Sequence, residues 1–384
     1  MIVLVSNIGS TSFKFRLYDM NGERELARGG AERIGSDNAA VKVGDMTWTG
    51  GLADHGEAID HCLRLLPDPN VRIDAIGFKA VHGGPISGAA RVTDEVVRTM
   101  TEFFDIAPAH NPPYVAAMKA FAARLPKVPQ VAAFETAFHQ TIPASRTTYG
   151  VPWDWTQAGV RRYGFHGASH RYIAVRSVEL LGRKDLRVIS CHVGGSSSIC
   201  AIDSGRSVAN SFATTPQSGL IHNNRVGDFD PYALLKALPA FKLTFEQALQ
   251  EMAKKGGLLG ISGVSNDHRD VEQAAARGNE RAKLALDVLV EGVRHYVGAY
   301  LAVLNGADLI VFTGGIGENS AAFREAVCAR MDYAGIKLDL LKNKTRGKEE
   351  TISADDSRVR IMVIPTNEEL IVARQTRDVL AGGN

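Results

Sequence analysis

Short apolar runs along the chain each end in a turn rich in Gly, Ser or Asn. Five of these runs have the length of buried strands: residues 2–5, 76–81, 187–191, 309–312 and 359–364. Between them, apolar side chains recur about every 3.6 residues, which predicts helices at residues 116–124, 173–181, 244–254, 282–304 and 321–331. The mixture predicts an α/β fold in which the turns after the strands carry the functional groups.

A weak internal repeat relates two parts of the chain. The strands at residues 2–5 and 187–191 are each followed by a Gly- and Ser-rich turn and a second alternating strand, at residues 13–18 and 198–202. Chance accounts for so short a match about as well as a duplication does. A duplicated kinase of two domains, with a cleft between the halves, would produce it. The predicted domains are residues 1–150, joined by a C-terminal helix at 367–384, and residues 151–366.

Composition narrows the class of protein. The 384 residues are 45% hydrophobic and 22% charged with a formal net charge of +2, so neither nucleic acid nor a membrane is an expected partner. The four cysteines form no CxxC pair, which is typical of a reducing compartment. The N-terminal residues lack the basic and apolar segments of a signal peptide, and no run reaches about 18 apolar residues. We therefore expect a cytoplasmic protein.

The densest cluster of positively charged and imidazole groups is at residues 161–171, RRYGFHGASHR. Arg and His side chains on a loop interrupted by glycines suit a transferred anion. They suit a packed core less well, because each buried polar group there would need a partner. His166 lies at the centre of this stretch.

Three Gly- or Ser-rich loops also offer groups for phosphate. Residues 6–14 (SNIGSTSFK) supply backbone N–H groups, hydroxyls and Lys14, but lack the residue order of a P-loop, so an ordinary hairpin turn is an equal alternative. Residues 192–198 (HVGGSSS) combine two glycines with serines. Residues 313–319 (TGGIGEN) connect a strand to a helix. A base or sugar would fit against these glycines, and Asn319 is also a candidate N-cap for the following helix.

Three further side chains are candidates for chemistry. Glu135 stands between Phe134 and Phe138, so its carboxylate is predicted to be partly buried and to need a partner such as an Arg or a metal. Glu368 follows a strand at the start of a helix, where it either complements the helix dipole or binds a metal-bound water. Arg225 either pairs with one of the acids that follow it or clamps a phosphoryl group.

In order and together, these motifs resemble those of the acetokinase family over nearly the whole chain. The most specific matches are residues 107–108 with 110–112, and residues 136–141, 161–167, 257–265, 315–319 and 365–369. The resemblance implies the two-domain fold shared by acetate and sugar kinases, Hsp70 and actin, with a duplicated ribonuclease H-like core. It also implies Mg²⁺ or Mn²⁺ as cofactor, ATP and ADP as co-substrates, and a homodimer.

The resemblance further assigns roles to individual residues. It places Asn7 and Glu368 on the metal ion, and Lys79, His166 and Arg225 at the phosphoryl group. Glu135 would orient these cationic groups or assist proton movement. The carboxylate substrate would contact Lys79, Val81, Ala109, His110, Phe165 and Pro216. The nucleotide would lie among Ser10, Ser12, Lys14, His192, Val193, Gly194, Gly195, Ser196, Asp267, His268, Arg269, Gly315, Ile316, Gly317, Glu318 and Asn319.

Several positions depart from the family's pattern. The family's Arg and Asp are Lys79 and Glu135 here; Lys keeps the charge but loses the bidentate fork, and Glu is one methylene longer. Ala109 replaces a large apolar residue, which predicts a wider acyl pocket. The family's Gly-Asn-Gly and Met-Gly-Thr are replaced by residues 194–196 (GGS) and 222–224 (HNN).

The sequence thus predicts a phosphotransferase with a carboxyl group as acceptor, which transfers the ATP γ-phosphate reversibly to acetate to give acetyl phosphate and ADP. Propionate or butyrate becomes the better substrate if Lys79 and Ala109 reshape the pocket. Two alternatives stay open. The changes at Lys79 and Glu135 fit a paralogue that binds without catalysis, and the altered loop at Gly195 and Ser196 fits pyrophosphate as the donor.

Overall fold

The computed structural model describes residues 1–68, 70–86, 88–104 and 111–382. The chain divides into two compact units, Met1–Phe138 with Asn367–Asn384, and His139–Thr366. The boundary therefore precedes residue 150, where the sequence placed it. The reason is that residues just after 138 bond to the second unit: His139 Nδ1 lies 2.8 Å from Ser207 Oγ, and Thr141 Oγ1 donates to the Ser207 carbonyl at 2.7 Å.

Within the described residues, the first unit is built on a sheet of eight strands in the order β5-β4-β3-β2-β1-β6-β8-β7. The hairpin β1–β2 is antiparallel, whereas β1, β6 and β8 run parallel. The strands are β1 (Ile2–Gly9), β2 (Ser12–Asp19), β3 (Arg24–Glu32), β4 (Ser36–Val43), β5 (Met46–Leu52), β6 (Ala75–Ala80), β7 (Ala89–Arg91) and β8 (Gln130–Phe134).

Helices cover both faces of this first sheet. The main core, which includes Phe13, Phe15, Phe78 and Phe121, lies under one face. A smaller cluster on the other face includes Val3 and Val5 with Val372 and Ala373 of the C-terminal helix. The helices of the first unit are α1 (His55–Arg64), α2 (Asp94–Glu102), α3 (Asn111–Arg124) and α14 (Glu368–Leu380).

The second unit has a sheet of six strands among the described residues, in the order β11-β10-β9-β12-β14-β13. The strands are β9 (Arg187–His192), β10 (Ser198–Asp203), β11 (Arg206–Asn210), β12 (Leu309–Thr313), β13 (Glu350–Thr351) and β14 (Arg360–Val363). The order β11-β10-β9-β12-β14 repeats the order β3-β2-β1-β6-β8 of the first unit, with the same antiparallel hairpin and the same two parallel neighbours. A duplication therefore explains the sequence repeat better than chance does.

The helices of the second unit surround a core that contains Val293, Leu289 and Phe312. They are α4 (Ala144–Thr147), α5 (Trp153–Gln157), α6 (Gly167–Leu181), α7 (Leu234–Phe241), α8 (Phe245–Lys254), α9 (Gly257–Ser262), α10 (His268–Ala276), α11 (Glu280–Leu304), α12 (Gly314–Asn319) and α13 (Ala321–Cys328). Every helix that the periodicity predicted is present, and so is the α/β class. Along the described part of the chain, no helix is both long and apolar enough to cross a membrane.

Candidate active site

A buried cation lies beside two carboxylates in the first unit. Lys79 is on β6, Glu135 directly follows β8, and Glu368 is the first residue of α14. Lys79 Nζ donates a hydrogen bond to Glu368 Oε2 and is 3.5 Å from Glu135 Oε1. Burial alone would lower the pKa of Lys79, but the charges of Glu368 and Glu135 raise it well above its usual value. Lys79 is therefore charged at neutral pH, and it supplies a partner for Glu135.

Asn7, on β1, has its side-chain carbonyl held by a tyrosine. The hydroxyl of Tyr114, on α3, donates to Asn7 Oδ1 at 3.2 Å and accepts the N–H of Ile8 at 3.2 Å. Burial raises the pKa of Tyr114 to about 12, so this group remains a hydroxyl that can donate. The sequence did not indicate Tyr114, because it lies 107 residues from Asn7 within an ordinary helical pattern.

Ser10, Ser12 and Lys14 belong to the β1–β2 hairpin. Gly9 pairs with Ser12, and Lys14 pairs with Asn7 across the two strands. A Cβ atom at Gly9 would stand 2.5 Å from Ser12 Oγ, so a larger residue there would require the Ser12 side chain to rotate away. Ser10 and Lys14 are exposed, so the segment is an ordinary hairpin whose tip presents a hydroxyl and whose second strand presents an ammonium group.

Val81 and His82 follow β6. His82 is buried, its Nδ1 accepts the N–H of Gly84 at 2.9 Å, and burial lowers its pKa to about 4. His82 is therefore a neutral ring that organises the turn. Ala109 and His110, which the resemblance places in the carboxylate pocket, lie outside the described residues.

In the second unit, His166 stands at the N-terminus of α6 with φ 57° and ψ 33°. A left-handed backbone is uncommon outside glycine and costs on the order of 1 kcal/mol, and such residues cluster at functional sites. His166 Nδ1 lies 2.9 Å from Ser198 Oγ, and its ring packs on that of His192 with centroids 4.1 Å apart. The first N–H groups of α6 follow His166 directly, so the ring lies at the end of a helix that favours anions.

Arg225 is a largely buried cation. Its Nη1 donates to the carbonyl of Pro216 at 2.5 Å, and burial lowers its pKa below the usual value. The predicted pairing with a neighbouring acid does not occur, because Asp228 instead accepts from the N–H of Gly219 and from the hydroxyl of Tyr296. Among the described residues no carboxylate forms an ion pair with Arg225. A guanidinium in this state is suited to an anionic ligand.

Residues from three of the segments assigned to the nucleotide, 192–196, 267–269 and 315–319, line one cavity of the second unit, of about 510 Å³, whereas Ser10, Ser12 and Lys14 belong to the first unit. The Val193 carbonyl accepts the N–H groups of Ile316 and Gly317 at 2.9 and 3.0 Å, which ties two of the loops together. The lining residues are Gly194, Gly195, Asn223, Asp267, His268, Arg269, Glu272, Gly315, Ile316, Asn319, Ser320 and Arg346. Asn223, Glu272, Ser320 and Arg346 were not predicted from the sequence.

Two predictions about the third loop are corrected by the structure. The loop is itself a short helix, α12, and the N-cap of the following helix is Ser320, whose Oγ accepts the N–H of Phe323. Asn319 instead donates to the carbonyl of Gly315 at 2.9 Å. Glu318 Oε1 accepts the N–H of Gly314 at 2.8 Å, so this carboxylate braces the loop.

Two of the departures from the family pattern contact each other. His222 Nδ1 accepts the N–H of Ser197 at 2.9 Å, and the N–H of Asn223 donates to the Gly195 carbonyl at 3.3 Å. Burial and the nearby Arg225 lower the pKa of His222 to about 3, so it is a neutral acceptor. The altered segments at residues 194–196 and 222–224 are therefore neighbours in the structure.

Comparison with known proteins shows the family of the chain. The sequence profile of the acetokinase family matches residues 2–374. This chain belongs to the acetokinase family. An acetate kinase of Clostridium botulinum (strain Kyoto / Type A2) is 45% identical over an alignment of 396 positions, which covers 99% of this chain and 100% of that protein.

Two solved structures of acetokinase-type enzymes share the fold. The crystal structure of Porphyromonas gingivalis acetate kinase matches with a TM-score of 0.92 at 39% identity, covering 99% of each chain. That of a propionate kinase from Francisella tularensis subsp. tularensis SCHU S4 matches with a TM-score of 0.92 at 33% identity, covering 98% of this chain and 99% of the other. The predicted two-domain fold is thereby confirmed.

Proposed function

We propose that this acetokinase-family chain transfers the γ-phosphoryl group of ATP reversibly to acetate, giving acetyl phosphate and ADP. The observation that carries the proposal is Arg225, whose guanidinium is largely buried and forms no ion pair with a carboxylate among the described residues. A buried charge is costly unless a partner compensates it, and a phosphoryl group with two or more negative charges is such a partner.

In the proposed reaction a carboxylate oxygen attacks the γ-phosphorus in line. The new O–P bond forms as the bond to the ADP oxygen breaks, and ADP leaves. Arg225 and Lys79 neutralise the charge on the transferring group, and His166 donates a hydrogen bond to it. Glu135 keeps Lys79 in place, with Nζ and Oε1 3.5 Å apart.

The nucleotide is proposed to occupy the cavity lined by residues 194–195, 267–269, 315–316 and 319 of the second unit. The backbone at Gly315 supports this role, because a Cβ atom there would meet nothing within 4 Å and the space beside the glycine is open. Arg269 and Arg346 supply positive charge at the wall. Val81, Phe165 and Pro216 are retained as the proposed contacts of the carboxylate.

Mg²⁺ or Mn²⁺ is proposed to bind at Asn7 and Glu368. Both offer hard oxygen atoms, and Tyr114 holds the Asn7 oxygen in one orientation. Within the described residues, no group of three or more His, Cys, Asp or Glu side chains could hold a metal ion, so phosphate oxygens and water would complete its shell. When bound, the ion neutralises charge on the β- and γ-phosphates.

Propionate is the second candidate substrate, since a propionate kinase shares the fold at 33% identity. Butyrate is a third candidate, because Ala109 in place of a large apolar residue is expected to widen the acyl pocket. Trapping acyl phosphate with hydroxylamine, using acetate, propionate and butyrate in parallel, ranks the three acids. Replacing ATP by pyrophosphate in the same assay tests the donor. Failure with all three acids and both donors, on folded protein, would favour a binding protein without catalysis.

A homodimer and a cytoplasmic location are also proposed. Large exposed apolar side chains gather along α7, α8 and the turn before them: Tyr232, Leu235, Phe241, Phe245 and Leu249. An apolar patch of this kind is typical of a protein interface. All four cysteines are buried free thiols, which suits a reducing compartment. Sedimentation velocity of the wild type and of Leu235→Glu tests the dimer. The negative charge introduced into the apolar patch should shift the variant towards monomer.

A further inference from the structure

A chain of three buried side chains leads to His166 in the second unit. Ser190 Oγ lies 2.9 Å from His170 Nδ1, and His170 Nε2 lies 2.8 Å from Ser198 Oγ. The same Ser198 Oγ lies 2.9 Å from His166 Nδ1. Ser190, His170 and Ser198 are all 0% exposed, so none of them contacts bulk water.

The fold explains why these residues meet. In the β9–β10 hairpin, Ser198 pairs with His192 and Cys200 pairs with Ser190, so Ser190 and Ser198 lie on the same face. His166 and His170 stand four residues apart at the start of α6, on one side of the helix. The helix packs on this face of the hairpin, and both rings come within reach of Ser198.

The direction of the hydrogen bond between Ser190 and His170 follows from the number of protons that each side chain carries. Burial and the neighbouring His139 and His192 lower the pKa of His170 well below its usual value, so this ring is neutral and has one N–H. Ser190 Oγ has one hydrogen-bond partner among the described residues, which is His170. Its hydroxyl must therefore donate to His170 Nδ1, because otherwise a fully buried O–H would have no acceptor.

The direction of the other bonds follows. With Nδ1 as acceptor, the proton of His170 is on Nε2 and is donated to Ser198 Oγ. The Ser198 hydroxyl then has one proton left to donate, and His166 Nδ1 is its acceptor. A neutral His166 ring that accepts at Nδ1 carries its proton on Nε2.

We infer that Ser190, His170 and Ser198 are positioning residues, which hold His166 in the Nε2–H tautomer so that Nε2–H is the donor to the transferring phosphoryl group. The donation of Nε2–H to the phosphoryl group rests on the proposed function, whereas the tautomer of His166 does not. In the opposite tautomer His166 would present a lone pair to a phosphoryl oxygen, which is repulsive. The hydrogen bonds from Ser190 through His170 and Ser198 thus prevent His166 from presenting a lone pair to the phosphoryl group.

Nitrogen-15 NMR on full-length protein labelled at histidine tests the tautomer without any substrate. Under mildly alkaline conditions, the two-bond nitrogen–proton pattern of His166, assigned with His166→Gln, is expected to be that of the Nε2–H form. Ser198→Ala is expected to produce a mixture of both tautomers. A wild-type ring in the Nδ1–H form, or an unchanged ring in Ser198→Ala, overturns the inference.

Kinetics test the link to catalysis. Ser198→Ala should lower kcat at least about tenfold with the KM values for ATP and carboxylate unchanged, and Ser198→Thr, which keeps the hydroxyl, should recover most of it. Ser207→Ala is the matched control, because it removes a buried serine bonded to another histidine, His139. Equal losses in the two alanine variants would overturn the positioning role. An Nε2–H tautomer in a wild type that forms no acyl phosphate would refute the proposed function alone.

Discussion

Lys79 and Glu368 form a buried ion pair that joins β6 to the first turn of α14. The two residues are 289 positions apart in the chain, and their side chains are 19% and 12% exposed. Because Lys79 also lies 3.5 Å from Glu135, one ammonium group is shared by two carboxylates. Its removal would leave two buried negative charges without the cation they share, which is far costlier than the loss of a surface pair.

Lys79→Met should therefore lower the free energy of unfolding by about 3 kcal/mol, measured by urea denaturation. Lys283→Met, at an exposed position of α11, is the control and should change it little. The pKa of Lys79 is raised in the folded state, so its stabilisation is complete below the usual value of 10.5 and is lost as pH rises through the folded value. The difference between Lys79→Met and wild type should thus be constant from about pH 6 to about pH 9. A difference that disappears within this window would contradict the ion-pair account.

Lys79→Arg and Glu135→Asp together restore the family's residues at both positions. The longer side chain of Glu135 compensates for the shorter side chain of Lys79. Each single change should therefore disturb the contact between residues 79 and 135, and the double change should restore it. We expect a coupling of roughly 1–2 kcal/mol in kcat/KM, measured by a double-mutant cycle. Additive effects would show that the two changes arose independently. A large gain of the double variant from near-zero wild-type activity would favour a paralogue without catalysis.

Arg225→Met should separate activity from stability. Loss of a charge aimed at the phosphoryl group is expected to lower kcat by roughly 10²–10³-fold. Because burial disfavours the charged Arg225 in the folded chain, the free energy of unfolding should stay the same or rise. Arg187→Met is the opposite control: Arg187 pairs with Asp308 at the other end of β9, and its loss should cost stability without affecting kcat. A destabilised Arg225→Met would mean that the guanidinium serves the fold.

Two adjacent glycines should behave differently when each is replaced by alanine. Gly314 has φ +77°, and a Cβ atom there would lie 2.8 Å from the Val193 carbonyl oxygen, so Gly314→Ala should lower the melting temperature. Gly315 has open space, so Gly315→Ala should fold normally and raise the KM for ATP, with the KM for the carboxylate unchanged. Differential scanning fluorimetry and initial rates distinguish the two. An unchanged KM for ATP would remove Gly315 from the nucleotide site.

The strands, helices and loops that the sequence predicted are present in the structure, because the local pattern of apolar residues, Gly and Ser determines them. The glycine-rich turns after β1, β9 and β12 were located from apolar runs followed by Gly or Ser, and two of them line one cavity. The limits of the helices were less accurate: α3 begins at Asn111, five residues before the predicted start, because its first turn contains prolines and little apolar periodicity.

Contacts between residues that are far apart in the sequence could not be predicted from local pattern. Tyr114 could not be connected with Asn7, nor Lys79 with Glu368, because tertiary packing alone brings them together. The i, i+4 spacing of His166 and His170 was visible, but the serines that bond to them depend on the register of the β9–β10 hairpin. Asn319 was predicted as an N-cap, yet Ser320 has that role because α12 continues through Asn319.

The most direct test of the proposed reaction is a phosphorus-31 NMR time course of wild-type protein with ATP, Mg²⁺ and acetate. The proposed function predicts loss of the γ-phosphate resonance with matching growth of acetyl phosphate and ADP, and the reverse change when these two products are supplied. ATP that remains intact, or that yields only inorganic phosphate while a hydroxylamine trap stays empty, would contradict transfer to the carboxylate.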